Sequence, residues 1–465
     1  VTASDAAAVL LPGFAGPELP GWLERRLAEG LAGVCLFGSN VRSAAQLREL
    51  TGRIRAANPD AILAIDEEGG DVTRLFAQTG SPFPGNAVLG RIDDERLTER
   101  VGRSVGDALR AVGVNLDLAP VADVNSNSLN PVIGVRSFGA DARLAARHTA
   151  AWLRGLQSTG VAGSVKHFPG HGDTAQDSHL ALPVVDLPLD LLRRRELLPF
   201  LAAVEAGVQT VMTSHILLPQ VDPGGPATFS VRILNDLLRS ELGFGGVIVT
   251  DALDMAGASG SDGIPAAAVR AIAGGADLLC LGTDIPEARL EAVEQALGAA
   301  DPERLADAAA RVRRLGAALA VTAFPAGASP EGPDGFPLER TVAAFDVRPG
   351  TSVPPGARIV TLETVANIAV GGAPWGPAAA GAQVVRLQEG DRLPDGGPLI
   401  LVGKDNHRHG WIRELISTAR EGRPGSLAVD MGWPSEDRAY ADVATFGASR
   451  HVGEALLRWL GERSA

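Results

Sequence analysis

Residues 61–70 read AILAIDEEGG: five apolar residues, three acids, then two glycines. An apolar run without alternation is the pattern of a strand covered on both faces, as in a parallel sheet flanked by helices. The switch to Asp66, Glu67 and Glu68 puts charge at that strand's C-terminal end. The same texture recurs on both sides: AAVLLPGF from residue 7, GVCLFG from 33, VGVNLDLAP from 112 and VAGSVKHFPG from 161. It continues with QTVMTSHI from 209, GGVIVTDALDM from 245 and ADLLCLGTD from 276, eight runs in all. Between them lie segments of helical periodicity such as AAQLRELTGRIRAA, RLAARHTAAWLRGLQ and LDLLRRRELLPFLAAVEA. Eight strand-then-helix units over about 320 residues predict a TIM-like (β/α)₈ barrel; an open doubly wound sheet is the alternative.

Beyond ERLADAAARVRRLGAALAV the texture changes. FPAGASPEGPDGFP, residues 324–337, is rich in Gly, Pro and Ser and reads as a linker. This divides the chain into a catalytic barrel at 1–323, the linker, and a C-terminal α/β layer domain at 338–465. The last part carries ARIVTLE, AQVVRLQ, GPLILVGK and SLAVDMG as strand candidates, with helices at WIRELISTAREG and GEALLRWLGER. A scaffolding or interface role is expected for it. His407 and His409, two apart with no Cys nearby, make a weak metal pattern and read as surface or packing residues.

The 465 residues are 45% hydrophobic and 21% charged, enough for a sizeable core without metal or disulfide. Cys35 and Cys280 both sit in apolar runs and read as buried free thiols. A net charge of −13 argues against nucleic acid or an anionic membrane as main partner. No basic-then-apolar leader and no run of 18 apolar residues is seen, so a cytoplasmic setting is the expectation. Of 42 basic residues only Lys166 and Lys404 are lysines. A lysine kept amid such a bias suggests a task arginine cannot perform, such as presenting a compact ammonium in a tight pocket.

Barrel enzymes carry their chemistry at the C-terminal ends of the strands. Here Asp66-Glu67-Glu68 with Arg74, Asp117 and Asp123 with Arg136, Lys166-His167, Ser214-His215, Thr250-Asp251 and Asp284 all fall at such ends. Any one alone reads as a solvated loop residue; six strand ends together do not. The densest stretch is KHFPGHGDTAQDSHLALP, residues 166–183, a long aperiodic loop in which Gly170 and Gly172 are expected to allow movement. Asp177 and His179 share a face of an extended chain, and an Asp beside a His favours the proton shuttle. Asp251 ends an apolar strand, where a carboxylate flanked by Arg and Lys stays ionised and can act as a nucleophile. The plainer reading of Asp251 is a helix N-cap.

AIDEEGGDVTRL, LDLAPVADV, NPVIGVRSFG, KHFPGHGDTAQDSH and VIVTDALDM, in this order between residues 60 and 255, resemble glycoside hydrolase family 3, specifically its bacterial β-N-acetylglucosaminidase (β-N-acetylhexosaminidase) branch in two-domain form. The resemblance implies a retaining exo-enzyme that removes terminal β-linked N-acetylglucosamine. It implies Asp251 as nucleophile and His179 as loop-borne acid/base with Asp177 as its partner. It further implies that Asp66, Arg74, Arg136, Lys166 and His167 grip the sugar, with no metal and no cofactor. Glu67 stands where many relatives have Gln, and Asp71 where a basic residue is frequent; both add negative charge near the pocket.

An imidazole acid/base carries no negative charge to repel an anionic acceptor, so phosphorolysis at the same site is an alternative to hydrolysis. Two readings belong to other classes. His167, His171, His179, Asp173 and Asp177 form a possible zinc set for a metallohydrolase, although Pro169, Gly170 and Gly172 oppose the helix its spacing would want. A non-catalytic sugar-binding protein is the other. One Tyr and 4% aromatics favour a pocket for one terminal sugar over a polysaccharide platform. The expected partner is a small glycoside, from peptidoglycan fragments, chitin oligomers or glycoconjugates; oligomeric state is left open.

Overall fold

The computed structural model describes residues 3–176, 182–320, 336–365 and 369–463. All eight apolar runs form short strands: β1 (Leu10–Pro12), β2 (Gly33–Leu36), β3 (Ile62–Ile65), β4 (Leu116–Asp117), β5 (Ala162–Phe168), β6 (Thr210–Thr213), β7 (Val247–Val249) and β8 (Leu279–Gly282). Their residues are buried throughout, as expected of strands covered on both faces. β2 to β7 form a six-stranded parallel run in chain order, and β1 pairs with β8. The two sets join at β7, where Thr250 N–H donates to Leu278 O (2.9 Å) and Leu278 N–H to Ile248 O (3.0 Å). At the other seam Ala32 N–H, just before β2, donates to Ala7 O, just before β1 (3.1 Å). The sheet thus curls into a TIM-like barrel.

Leu11, Ile62, Ala64, Leu116, Met212 and Val249 fill the barrel interior together with Val312, Leu315 and Leu319 of the helix Pro302–Ala320. That helix closes the end where the strands begin. Its Gly316 lies so near Asp60 O that a Cβ would stand 2.4 Å away. The opposite end, where the polar residues cluster, is left for the site.

The outer helices start on side-chain caps: Ser43, Asp94 and Asp141 accept from the N–H groups of Gln46, Leu97 and Leu144. Helices Glu95–Ala111 and Ala142–Gln157 pack closely because Gly102 meets Trp152 O and Gly155 meets Glu99 O, where a Cβ would fall at 2.2 and 2.0 Å. One expected helix is two. LDLLRRRELLPFLAAVEA breaks into Leu189–Arg194 and Leu197–Glu205. Pro199 has no N–H to bond the carbonyl of Arg195, so it fits only the first turn of a new helix.

The second sheet has the order β11-β10-β12-β13-β14-β9, formed by β9 (Asp346–Val347), β10 (Arg358–Leu362), β11 (Val385–Leu387), β12 (Leu399–Gly403), β13 (Leu427–Asp430) and β14 (Val443–Ala444). It is parallel except for β9 on its edge. Helix Gly410–Gly422 packs Ile412, Ile416 and Ala419 on one face, and Arg450–Arg463 packs Val452, Leu456 and Trp459 on the other. This is the C-terminal α/β layer unit. Two-residue strands such as β9 and β14 carry no periodicity, and none was expected there. Most of the expected linker lies in 321–335, outside the described residues; of its described part, Phe336 packs edge-on against His451, ring centroids 4.8 Å apart.

The two sheets' units are tied directly. Asp71 Oδ1 accepts the Ala448 N–H (2.7 Å), and Arg91 donates to Ala344 O (2.6 Å) while its guanidinium lies 4.1 Å from the Phe446 ring centre. Among the described residues no helix is long and apolar enough to cross a membrane.

Candidate active site

At the C-terminal mouth of the barrel is a cavity of about 350 Å³, lined by Asp66, Arg74, Arg136, Lys166, His167 and Asp251 among others. Every candidate sugar-gripping residue therefore shares one cavity with the candidate nucleophile. Asp177 and His179 lie outside the described residues.

Lys166, at the mouth end of β5, reaches Asp66 Oδ1 at 2.6 Å and Glu68 Oε1 at 2.8 Å. Glu68 also receives two bonds from Arg136, Nε to Oε2 at 2.9 Å and Nη2 to Oε1 at 2.7 Å. Burial disfavours charge at Glu68, yet Arg136 and Lys166 outweigh it and hold its carboxyl well below the usual range. Burial likewise opposes the Lys166 ammonium, but Asp66 and Glu68 overcome it and raise its pKa. Lys166 thus presents a compact ammonium to two carboxylates at once, in line with the task read from the lysine's rarity.

Asp123 organises the neighbouring histidines. One oxygen accepts His167 Nδ1 (2.6 Å); the other accepts the backbone N–H groups of His167 (3.2 Å) and His171 (2.7 Å). Burial alone would raise the Asp123 pKa, but His167 prevails and lowers it. Burial, reinforced by His167, pushes His171 down to about 4, so His171 is neutral at pH 7.

Arg74 serves both units. It stands 3.9 Å from Asp66 and donates to Ala369 O (2.7 Å) and Val370 O (3.3 Å) of the C-terminal unit. Ala369 itself lines the cavity, so the C-terminal unit supplies part of the wall. Glu67 faces away from it: its Oε2 accepts from Thr73 Oγ1, Arg74 N–H and Leu75 N–H. Burial raises the Glu67 pKa to about 7 against those bonds. Burial also lifts Asp117 well above the usual carboxylate range. The extra acid at 67 thus sits behind the pocket wall, and Asp71 is taken up by the contact with Ala448.

Asp251 accepts the Ala252 N–H (2.8 Å), and the next helix, Ala256–Ser259, begins after Met255; the plain N-cap role is not the one it fills. The loop glycines stand in tight surroundings. A Cβ on Gly172 would fall 1.7 Å from Val124 O, and one on Gly170 would fall 2.8 Å from Glu196 Cβ. They permit close packing of the loop stem. The stem is pinned by Asn130, whose Nδ2 donates to His171 O (2.8 Å), Gly172 O (3.1 Å) and Thr174 Oγ1 (3.2 Å). Arg408 of the C-terminal unit donates in turn to Asn130 O (2.7 Å).

Asn130 and Ala369 are not site residues on the sequence reading, and Glu68 and Asp123 are only polar strand ends there. Glu68 had a signal: two residues from Asp66 on an extended stretch, it shares that residue's face. Asn130 and Ala369 had none, because their roles depend on contacts remote in the chain. For the zinc reading, no group of three or more His, Cys, Asp or Glu side chains is arranged to hold a metal among the described residues.

Residues 24–315 match the model of the glycosyl hydrolase family 3 N-terminal domain. The chain belongs to glycoside hydrolase family 3. Its family 3 barrel is similar to the β-hexosaminidase of Stenotrophomonas maltophilia strain K279a, 39% identical over 269 residues, which is 56% of this chain and 78% of that protein. It is also similar to β-hexosaminidase A of Pseudoalteromonas piscicida, 38% identical over 275 residues, 55% of this chain; the match covers 45% of that relative's length. Among solved structures, a family 3 β-N-acetylglucosaminidase from Paenibacillus sp. strain FPU-7 covers 100% of this chain and 97% of its own, with a TM-score of 0.86 at 27% identity. The family 3 model ends within the helix Pro302–Ala320, while the structural likeness continues through the second sheet.

Proposed function

We propose that the chain is a retaining exo-β-N-acetylglucosaminidase. The observation that carries this is that Asp251 shares one cavity with Asp66, Arg74, Arg136, Lys166 and His167. A cavity of about 350 Å³ is of a size for a single sugar ring, which favours removal of one terminal residue. The names of the relatives support the N-acetylhexosamine class.

In this reading an Asp251 oxygen attacks the anomeric carbon as the glycosidic C–O bond breaks. The His179 imidazolium, held by Asp177, gives its proton to the departing oxygen. Neutral His179 then takes a proton from water as that water attacks the same carbon, and Asp251 leaves as carboxylate. Two inversions retain the configuration. Asp66 with Lys166 and Arg74, and His167 oriented by Asp123, hold the sugar hydroxyls and the N-acetyl group.

The test is a panel of aryl β-glycosides (N-acetylglucosaminide, N-acetylgalactosaminide, glucoside) with and without phosphate. Preferred cleavage of the first, with free sugar as product at saturating phosphate, is expected. Sugar-1-phosphate as the main product would replace hydrolysis by phosphorolysis, and no cleavage of any member would overturn the reading.

A further inference from the structure

The chain's only two cysteines come from opposite ends of the barrel sequence and meet inside it. Cys35 on β2 and Cys280 on β8 are 0% and 3% exposed, and both line the cavity that Asp251 lines. Both thiols belong to one buried cluster with Leu11, Leu116 and Met212, and Asp251 and Asp254 line the same cavity. β1 runs between the two strands, with Leu11 paired to Cys280. The α-carbons are therefore two strand spacings apart, roughly 9 Å. A disulfide needs less than about 7 Å without backbone movement, so the pair is not built to close on itself.

We propose that Cys35 and Cys280 form a binding site for a soft, thiophilic divalent cation, typified by mercuric ion, on the floor of the active-site cavity, and that filling it shuts the site. Thiolate donors select soft cations, and an ion satisfied by two sulfurs fits better here than zinc, which takes four donors. Two S–H bonds break, two metal–sulfur bonds form, and two protons leave to solvent; a coordinating thiol is deprotonated outright even where burial disfavours the free thiolate. The Asp251 carboxylate adds attraction for the cation and is itself blocked by it.

The test titrates the folded protein with mercuric chloride, following intact mass, sulfur-to-metal ultraviolet absorption and released protons. One ion and two protons per chain are expected, in a complex that resists excess monothiol and is reversed by a dithiol. Cys35→Ala and Cys280→Ala should each bind through one thiol and lose the ion to monothiol. Two ions per chain, one proton per ion, or a wild-type complex stripped as easily as the single variants would overturn the site. Those readouts need no substrate, so they stand apart from the glycosidase reading. Turnover should fall at least tenfold at one bound ion; full turnover at that occupancy would overturn the shutting of the cavity.

Discussion

Arg136 and Glu68 form a two-bond ion pair, 2.9 and 2.7 Å, with side chains only 5% and 3% exposed. Glu68 is also the common counter-charge of Arg136 and Lys166. Removing one partner of a buried pair leaves the other uncompensated, typically at about 3–5 kcal/mol. Glu68→Gln should therefore lower the unfolding free energy from urea titration by an amount in that range, seen as a lower midpoint at unchanged slope, and weaken sugar binding. An unchanged midpoint would show that the pair is dispensable.

Asp251→Asn removes the attacking oxygen's charge while keeping its shape. On the proposed mechanism kcat falls on the order of 10⁴-fold, with the circular dichroism spectrum retained and the bound sugar's Kd little changed. A tenfold effect or less would move the nucleophile elsewhere.

Glu67 gives a pH prediction of definite sign. Burial raises its folded pKa from the ordinary 4.5 to about 7. The folded state thus holds the proton more tightly than the unfolded chain, and this contribution to stability is present below pH 4.5 and lost as pH rises through 7. Its full span is about 3 kcal/mol. Glu67→Gln, neutral at every pH, should raise Tm relative to wild type at pH 8 and change it least near pH 5. Parallel Tm profiles for both proteins across that range would refute the assignment.

The path from Arg408 through Asn130 to the stem at His171–Thr174 lies just before the proposed acid/base. Asn130→Ala should lower kcat/KM about tenfold for aryl glycosides whose leaving groups need protonation. It should affect activated dinitrophenyl glycosides much less. An equal loss on both would assign Asn130 a purely structural role.

Much of the fold was legible because burial imprints itself locally. A run such as AILAI reports its covered strand without reference to any other segment, and so do the seven other runs. The gathering of Asp66, Lys166, His167 and Asp251 was legible too, since strand ends in a parallel barrel converge on one mouth. The break before Pro199 is also local information, since a proline without an N–H fits only a helix's first turn. The close approach of Gly172 to Val124 O was not available: a glycine in open space and one against a carbonyl read alike in the chain.

The sequence by itself determined the barrel, its polar mouth and the family resemblance, because strand burial and motif order are properties of contiguous residues. Only the tertiary structure decided that Glu68 is the shared counter-charge, that Asp123 sets His167, that Ala369 walls the cavity and that Cys35 meets Cys280. Those relations join residues tens to hundreds of positions apart, and the distances that set their charge states exist only once the chain has closed on itself.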